Sequence, residues 1–146
     1  MASPRSVRFE PSTDAHLAAF VARHAGLSHS GAAALLVEEG LRMDTHPGVL
    51  FREGPAGRRA VLVGGPDVWE VIRAVKSARA SEADLSGDGL LALVAENTGL
   101  ARRALDVAVA YYSDYPAEVD ALIAEADAAQ ESLGHSVDRR RSLLGV

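Results

Sequence analysis

The segment RSVRFE, Arg5 to Glu10, alternates in character: Val7 and Phe9 fall on one side, Ser6, Arg8 and Glu10 on the other, and Pro11 stops the run. That period of two predicts one short strand. Beyond Pro11, Ser12, Thr13 and Asp14 are N-cap candidates for a helix over DAHLAAFVARHAG, in which Leu17, Phe20, Val21 and His24 recur at helical spacing. Gly26 is placed to end that helix in the left-handed region. Ser28 then caps a second helix, SHSGAAALLVEEGLRM, whose Leu36, Val37 and Leu41 make an apolar stripe. One strand and two short helices cannot close a core, because a lone strand needs a partner for its edge. The simplest solution is a symmetric dimer in which strand 5–10 pairs antiparallel with its copy, burying Val7, Phe9, Leu17, Leu36 and Val37 at the twofold.

The string SVRF-P, then a helix, then GLSHS, then a second amphipathic helix resembles the ribbon-helix-helix family of the CopG, Arc and MetJ type, over residues 4–43. The resemblance implies that the outward strand residues enter the major groove of double-stranded operator DNA as a two-stranded ribbon. Ser6 and Arg8 would then read base edges, with Pro4 or Arg5 at the groove edge, and Arg8 is able to donate bidentately to guanine. It also implies a phosphate held by the first turn of the second helix at Ser28, His29 and Ser30. Read one by one, Arg8 is an ordinary solvated arginine, and His16, His24 and His29 are surface or packing histidines; the ordered string carries the binding reading.

Net charge is −5, which by itself disfavours a nucleic-acid partner. The charge is unevenly spread. Residues 45–80 hold six Arg or Lys against three acids, whereas residues 81–134 hold two Arg against eleven acids. The acidity is therefore concentrated in one region, and basic surface remains elsewhere.

Pro and Gly punctuate residues 45–66, and VLF and AVLV are short enough to be strands of a hairpin closed by GPAG. GPAGRR lacks the order of a nucleotide-binding loop and does not run from a strand into a helix. Arg58 and Arg59 are either hairpin charges or additional phosphate contacts. Asp67, after Pro66, is a candidate N-cap for a helix through Val68 to Ile72, anchored by a buried Trp69. Then LLALVAENTGLARRALDVAVAYY gives a helix, a glycine turn and a second helix, the helix-turn-helix outline. Tyr115-Pro116 breaks it before a final acidic helix, Ala117 to Leu133.

The HPG opening, GG followed by VW, the NTG turn, and the tyrosines before a proline together resemble a small antitoxin-associated domain over about residues 46–130. That family, of the VapB type, is commonly paired with PIN-like ribonuclease toxins. The resemblance leaves two uses for this segment, a second DNA contact or a dimerisation and toxin-docking module. For docking, Glu118, Asp120, Glu125, Asp127 and Glu131 are the candidates, since an acidic helix complements a nuclease's positive surface. Individually each reads as a solvated charge.

The expected class is thus mainly α with a short β ribbon: a ribbon-helix-helix dimer over 1–44, a hairpin plus helix-turn-helix-like domain over 45–134, and a basic tail over 135–146. That tail is read as flexible, inserting into a partner, or touching phosphate through Arg139, Arg140 and Arg141. The chain has no cysteine, which excludes disulfides, Cys-ligated zinc and thiol catalysis. No constellation of nucleophile, base or metal ligands stands out, so no catalytic, metal or cofactor site is expected. With no apolar h-region and no run of membrane-spanning length, a cytoplasmic protein is expected. The function expected is an operator-binding homodimer, an antitoxin that represses its own operon; the alternatives are a stand-alone repressor and an interaction module that does not touch DNA.

Overall fold

The computed structural model describes residues 3–55 and 57–145, and the chain divides into two units, Met1–Thr45 and His46–Val146. In the first, Pro11 occupies the opening position of helix α1 (Pro11–Arg23), where its missing amide hydrogen costs nothing. Glu10, held extended by the proline that follows it, is the N-cap. The helix therefore begins earlier than the expected caps: Ser12, Thr13 and Asp14 lie within its first turn, and Asp14 faces the positive end of the helix dipole. His24 ends α1, its ring nitrogen Nδ1 2.7 Å from the Phe20 carbonyl and its ring stacked on Phe20 at 4.0 Å. Gly26 takes the left-handed conformation two residues later. Ser28 caps helix α2 (His29–Thr45), its Oγ accepting the Gly31 amide at 3.0 Å.

The strand expected at 5–10 is not formed within one chain; residues 3–10 are neither helix nor strand and are exposed. A strand exists only through its ladder, and this unit offers no edge to pair with. Of the five residues expected at a dimer core, only Leu17 is buried within the chain; Leu36 is half-buried, and Val7 and Val37 are 68% and 57% exposed, with Phe9 at 37%. Alongside Leu17, the buried positions among the described residues of this unit are Ala32 and Glu39.

The second unit opens on a hairpin, β1 (Val49–Gly54) antiparallel to β2 (Gly57–Leu62), in register from Val49↔Leu62 to Gly54↔Gly57. GPAG closes it, as the punctuation implies; Ala56 of that turn lies outside the described residues. A Cβ at Gly54 would overlap the Arg59 guanidinium, which would have to swing aside. Helix α3 (Val68–Ser81) follows, with α4 (Gly87–Thr98), α5 (Arg102–Asp114) and α6 (Pro116–Leu144). Val68, Val71 and Ile72 share one face of α3, and α3 packs against α4, α5, α6 and β2. They join Val49, Ala60, Leu62, Val94, Leu105, Ala108, Tyr111 and Val119 in one core. Gly99, left-handed, ends α4 as expected, and Pro116 separates α5 from α6.

Two further expectations are corrected here. Trp69 is half-buried, packed against the edge of the core with its indole nitrogen donating to Asp67 Oδ2 at 3.0 Å, so it anchors the start of α3 without being enclosed. The segment 135–146, read as a separate tail, continues α6 to Leu144, and the helix stops at left-handed Gly145. At 1.5 Å per residue α6 is about 43 Å long, and everything from residue 128 to 145 on it is exposed. Among the described residues no helix is long and apolar enough to cross a membrane.

Asp67 is the hub of the α3 start. Its backbone amide donates to Glu70 Oε2 at 3.0 Å, while its carboxylate takes the Trp69 indole and the Arg59 guanidinium. Asp67→Ala is expected to cost about 1–3 kcal/mol, because the partly buried guanidinium loses its counter-charge as the helix loses its cap. Asp67→Asn, which keeps an acceptor, should cost less; urea denaturation of the two variants measures the difference.

Candidate nucleic-acid interface

Arg5, Ser6 and Arg8 lie on the exposed approach to α1, and neither arginine has an ion-pair partner among the described residues. Ser28, His29 and Ser30 are likewise exposed, with Ser28 Oγ 3.3 Å from Ser30 Oγ. Once Ser28 has taken the Gly31 amide, the first-turn amides of His29 and Ser30 have no acceptor within the helix and remain for an anion. Between α1 and α2 runs an open apolar groove of about 410 Å³, with Phe9, Leu17, Phe20, Leu36 and Val37 in its walls and His16 and Arg23 at its edge. Leu41, one turn beyond Val37, is 60% exposed. Phe20 belongs to the helical spacing read along α1, whereas the buried Glu39 did not stand out in the sequence, although Ala32, Leu36 and Glu39 fall on one helical face.

The second unit treats the other candidates differently. Arg58 lies 3.7 Å from Glu53 across the hairpin, and Arg59 is paired with Asp67, so both guanidinium groups already have counter-charges. Three of the five acids expected to dock a partner already have partners on α3 or α5. Asp120 takes Lys76 at 2.6 Å and the Tyr112 hydroxyl at 3.2 Å, Asp127 takes Arg73 at 2.7 Å, and Glu118 accepts from the buried Tyr111 hydroxyl at 2.9 Å. Glu125 and Glu131 are exposed without such a contact among the described residues. In the outline α4, Gly99, α5, Arg102 is held by Asp88 at 2.6 Å and Asp106 at 3.0 Å, which leaves Arg103 as the cation without an ion pair, among the described residues, at the start of α5. That helix therefore presents little net charge to a phosphate backbone.

These pairs set a pH dependence. The Lys76 ammonium beside Asp120 holds its carboxyl below the usual carboxylate range, and Arg102 does the same for Asp88. A depressed carboxylate contributes stability above its unfolded pKa and loses it as the pH falls through the folded value. The stability gap between the wild type and Asp120→Asn should therefore narrow below about pH 4; denaturation midpoints across an acid series measure it. Both groups are solvent-exposed, so the gap at neutral pH is small.

His46, the one histidine of the second segment before the helices, is buried with Nε2 2.8 Å from Asp114 Oδ2, and the rings of Tyr111 and Tyr115 meet it edge-on at 5.3 and 5.9 Å. This arrangement packs the hairpin side of α5. Among the described residues there is no group of three or more His, Cys, Asp or Glu able to hold a metal ion. No family model matches the sequence, and no curated protein or solved structure is detectably similar to it.

Proposed function

We propose that this chain is a sequence-specific DNA-binding homodimer whose first unit pairs two copies of residues 5–10 into a ribbon. One observation carries the reading: a segment bearing Arg5 and Arg8, exposed and without counter-charge among the described residues, leads into a two-helix unit whose apolar groove, with Phe9, Leu36 and Val37, is uncovered. Exposed large apolar groups concentrated on so small a unit are a surface awaiting a partner, and the alternation of Val7 with Arg8 gives that partner the form of a second copy. In the dimer Arg8 and Ser6 face the groove of DNA while the amides of His29 and Ser30 hold phosphate on either side. The role that goes with this is an antitoxin and autorepressor, with the second unit available to a PIN-like ribonuclease.

Binding of the purified chain to the DNA upstream of its own gene, across a salt series, tests the first part. Tight binding with log affinity falling linearly against log salt is expected. Val37→Asp should keep its helix content, lose the disulfide that a Val7→Cys replacement forms across the ribbon in the otherwise unchanged chain, and lose DNA binding with it, because a carboxylate cannot be desolvated in an apolar interface. First units that never pair in the wild type, or that still pair in Val37→Asp, would refute the ribbon. Co-purification with the product of a neighbouring ribonuclease gene tests the antitoxin role.

A further inference from the structure

The proximal half of α6 borders an open groove of about 260 Å³, walled by Pro55, Trp69, Leu122, Ala126 and Ala129 with Glu125 at its rim. The stripe that lines it does not end with the groove. Leu122, Ala126, Ala129, Leu133, Val137, Arg140 and Leu144 follow one another at helical spacing, and Leu133, Val137 and Leu144 are 68%, 47% and 60% exposed. The spacing of this stripe is the same read in either direction from Leu133. It is an eleven-residue pattern, which keeps one face in line along a nearly straight helix.

We propose that α6 pairs antiparallel with α6 of a second copy, about a twofold axis at Leu133. In that register each small residue meets a large one: Ala129 lies opposite Val137, Ala126 opposite the stem of Arg140, and Leu144 of the second copy enters the groove beside Leu122 and Trp69. The charges agree with the register. Glu125, the exposed acid at the groove rim, stands at the level of the Arg139–Arg141 cluster of the other copy, and the twofold makes this contact twice. A self-complementary stripe with acid on one side of its centre and base on the other fits a second copy of itself. The pairing involves the second unit alone and does not depend on the ribbon.

Because the chain lacks cysteine, the register is testable by single replacements in the full-length protein. With copper-phenanthroline as oxidant, a mixture of Leu122→Cys and Leu144→Cys chains should form the mixed disulfide, and Leu133→Cys should form its own. Glu131→Cys, on the opposite face of the helix, should cross-link at least tenfold less. Val137→Asp, at an exposed helical position, should abolish the 122–144 cross-link while circular dichroism stays unchanged. Addition of Val37→Asp, which separates the ribbon pairing, should leave it intact. Cross-linking at 133 without 122–144, cross-linking no greater than at 131, or a 122–144 cross-link that survives Val137→Asp would each overturn the proposal, as would its loss in Val37→Asp.

Discussion

Leu105→Ala is expected to destabilise the unit His46–Val146 by about 2–5 kcal/mol. Leu105 has no exposed surface and lies in the core shared by the hairpin and all four helices of this unit. The vacated volume has little means of closing. Neighbouring Ala108 is too small to fill it, and the Tyr111 ring is fixed through its hydroxyl to Glu118 and through its edge to His46. Lys76–Asp120 and Arg73–Asp127 hold α3 to α6 on either side. The loss then includes a cavity term as well as the transfer term, and it should be read as a lower urea midpoint with an unchanged slope. For a unit of this size the melting temperature should fall by about 4–8 °C per kcal/mol. Leu143→Ala is the matched control: Leu143 is 85% exposed, and its truncation should change stability by no more than about 0.5 kcal/mol. A Leu105→Ala protein as stable as the control would mean that this core is not packed as described.

The elements that depend on neighbours in sequence were legible. Asp67 marked the start of α3, although its buried face of Val68, Val71 and Ile72 was not singled out and Trp69 was expected buried in its place; Gly99 and Pro116 marked the boundaries around α5. What depends on distant residues was not. The acids of α6 read as a docking face because their partners, Arg73 and Lys76, sit on α3, and no local pattern says which side of α6 meets α3. The final helix was expected to stop at Leu133, yet the Gly134 that follows costs a helix only about 1 kcal/mol, and Arg139 to Arg141 with Leu143 and Leu144 favour its continuation to Leu144. The segment 5–10 is the reverse case. Its alternation is plain in the sequence, yet residues 3–10 form no strand within one chain, and the ribbon proposed for them would find its ladder only across a twofold axis. For the proposed site, Arg8 and the Ser28 turn are candidates from the sequence, while it took the structure to separate Arg58 and Arg59, already paired, from Arg5 and Arg8.

That separation makes Arg8→Ala the sharper test of DNA recognition. Arg8 is exposed and has no ion-pair partner among the described residues, so its truncation should leave helix content, stability and dimerisation unchanged. If it donates bidentately to guanine, its removal takes away about 1–3 kcal/mol of discrimination per copy, and a twofold dimer loses it twice. Affinity for the operator should drop at least tenfold while affinity for unrelated DNA, which rests on phosphate contacts, changes little. Arg8→Lys should recover only part of the loss, since a lysine cannot make the paired contact. Arg58→Ala serves as the contrast, because a guanidinium already facing Glu53 has less to offer a phosphate. If Arg8→Ala instead weakens operator and unrelated DNA equally, Arg8 holds a phosphate, and the salt slope should fall by about one for each phosphate no longer neutralised. If it weakens neither, the ribbon does not read DNA, and the exposed approach to α1 serves only to pair one copy with the other.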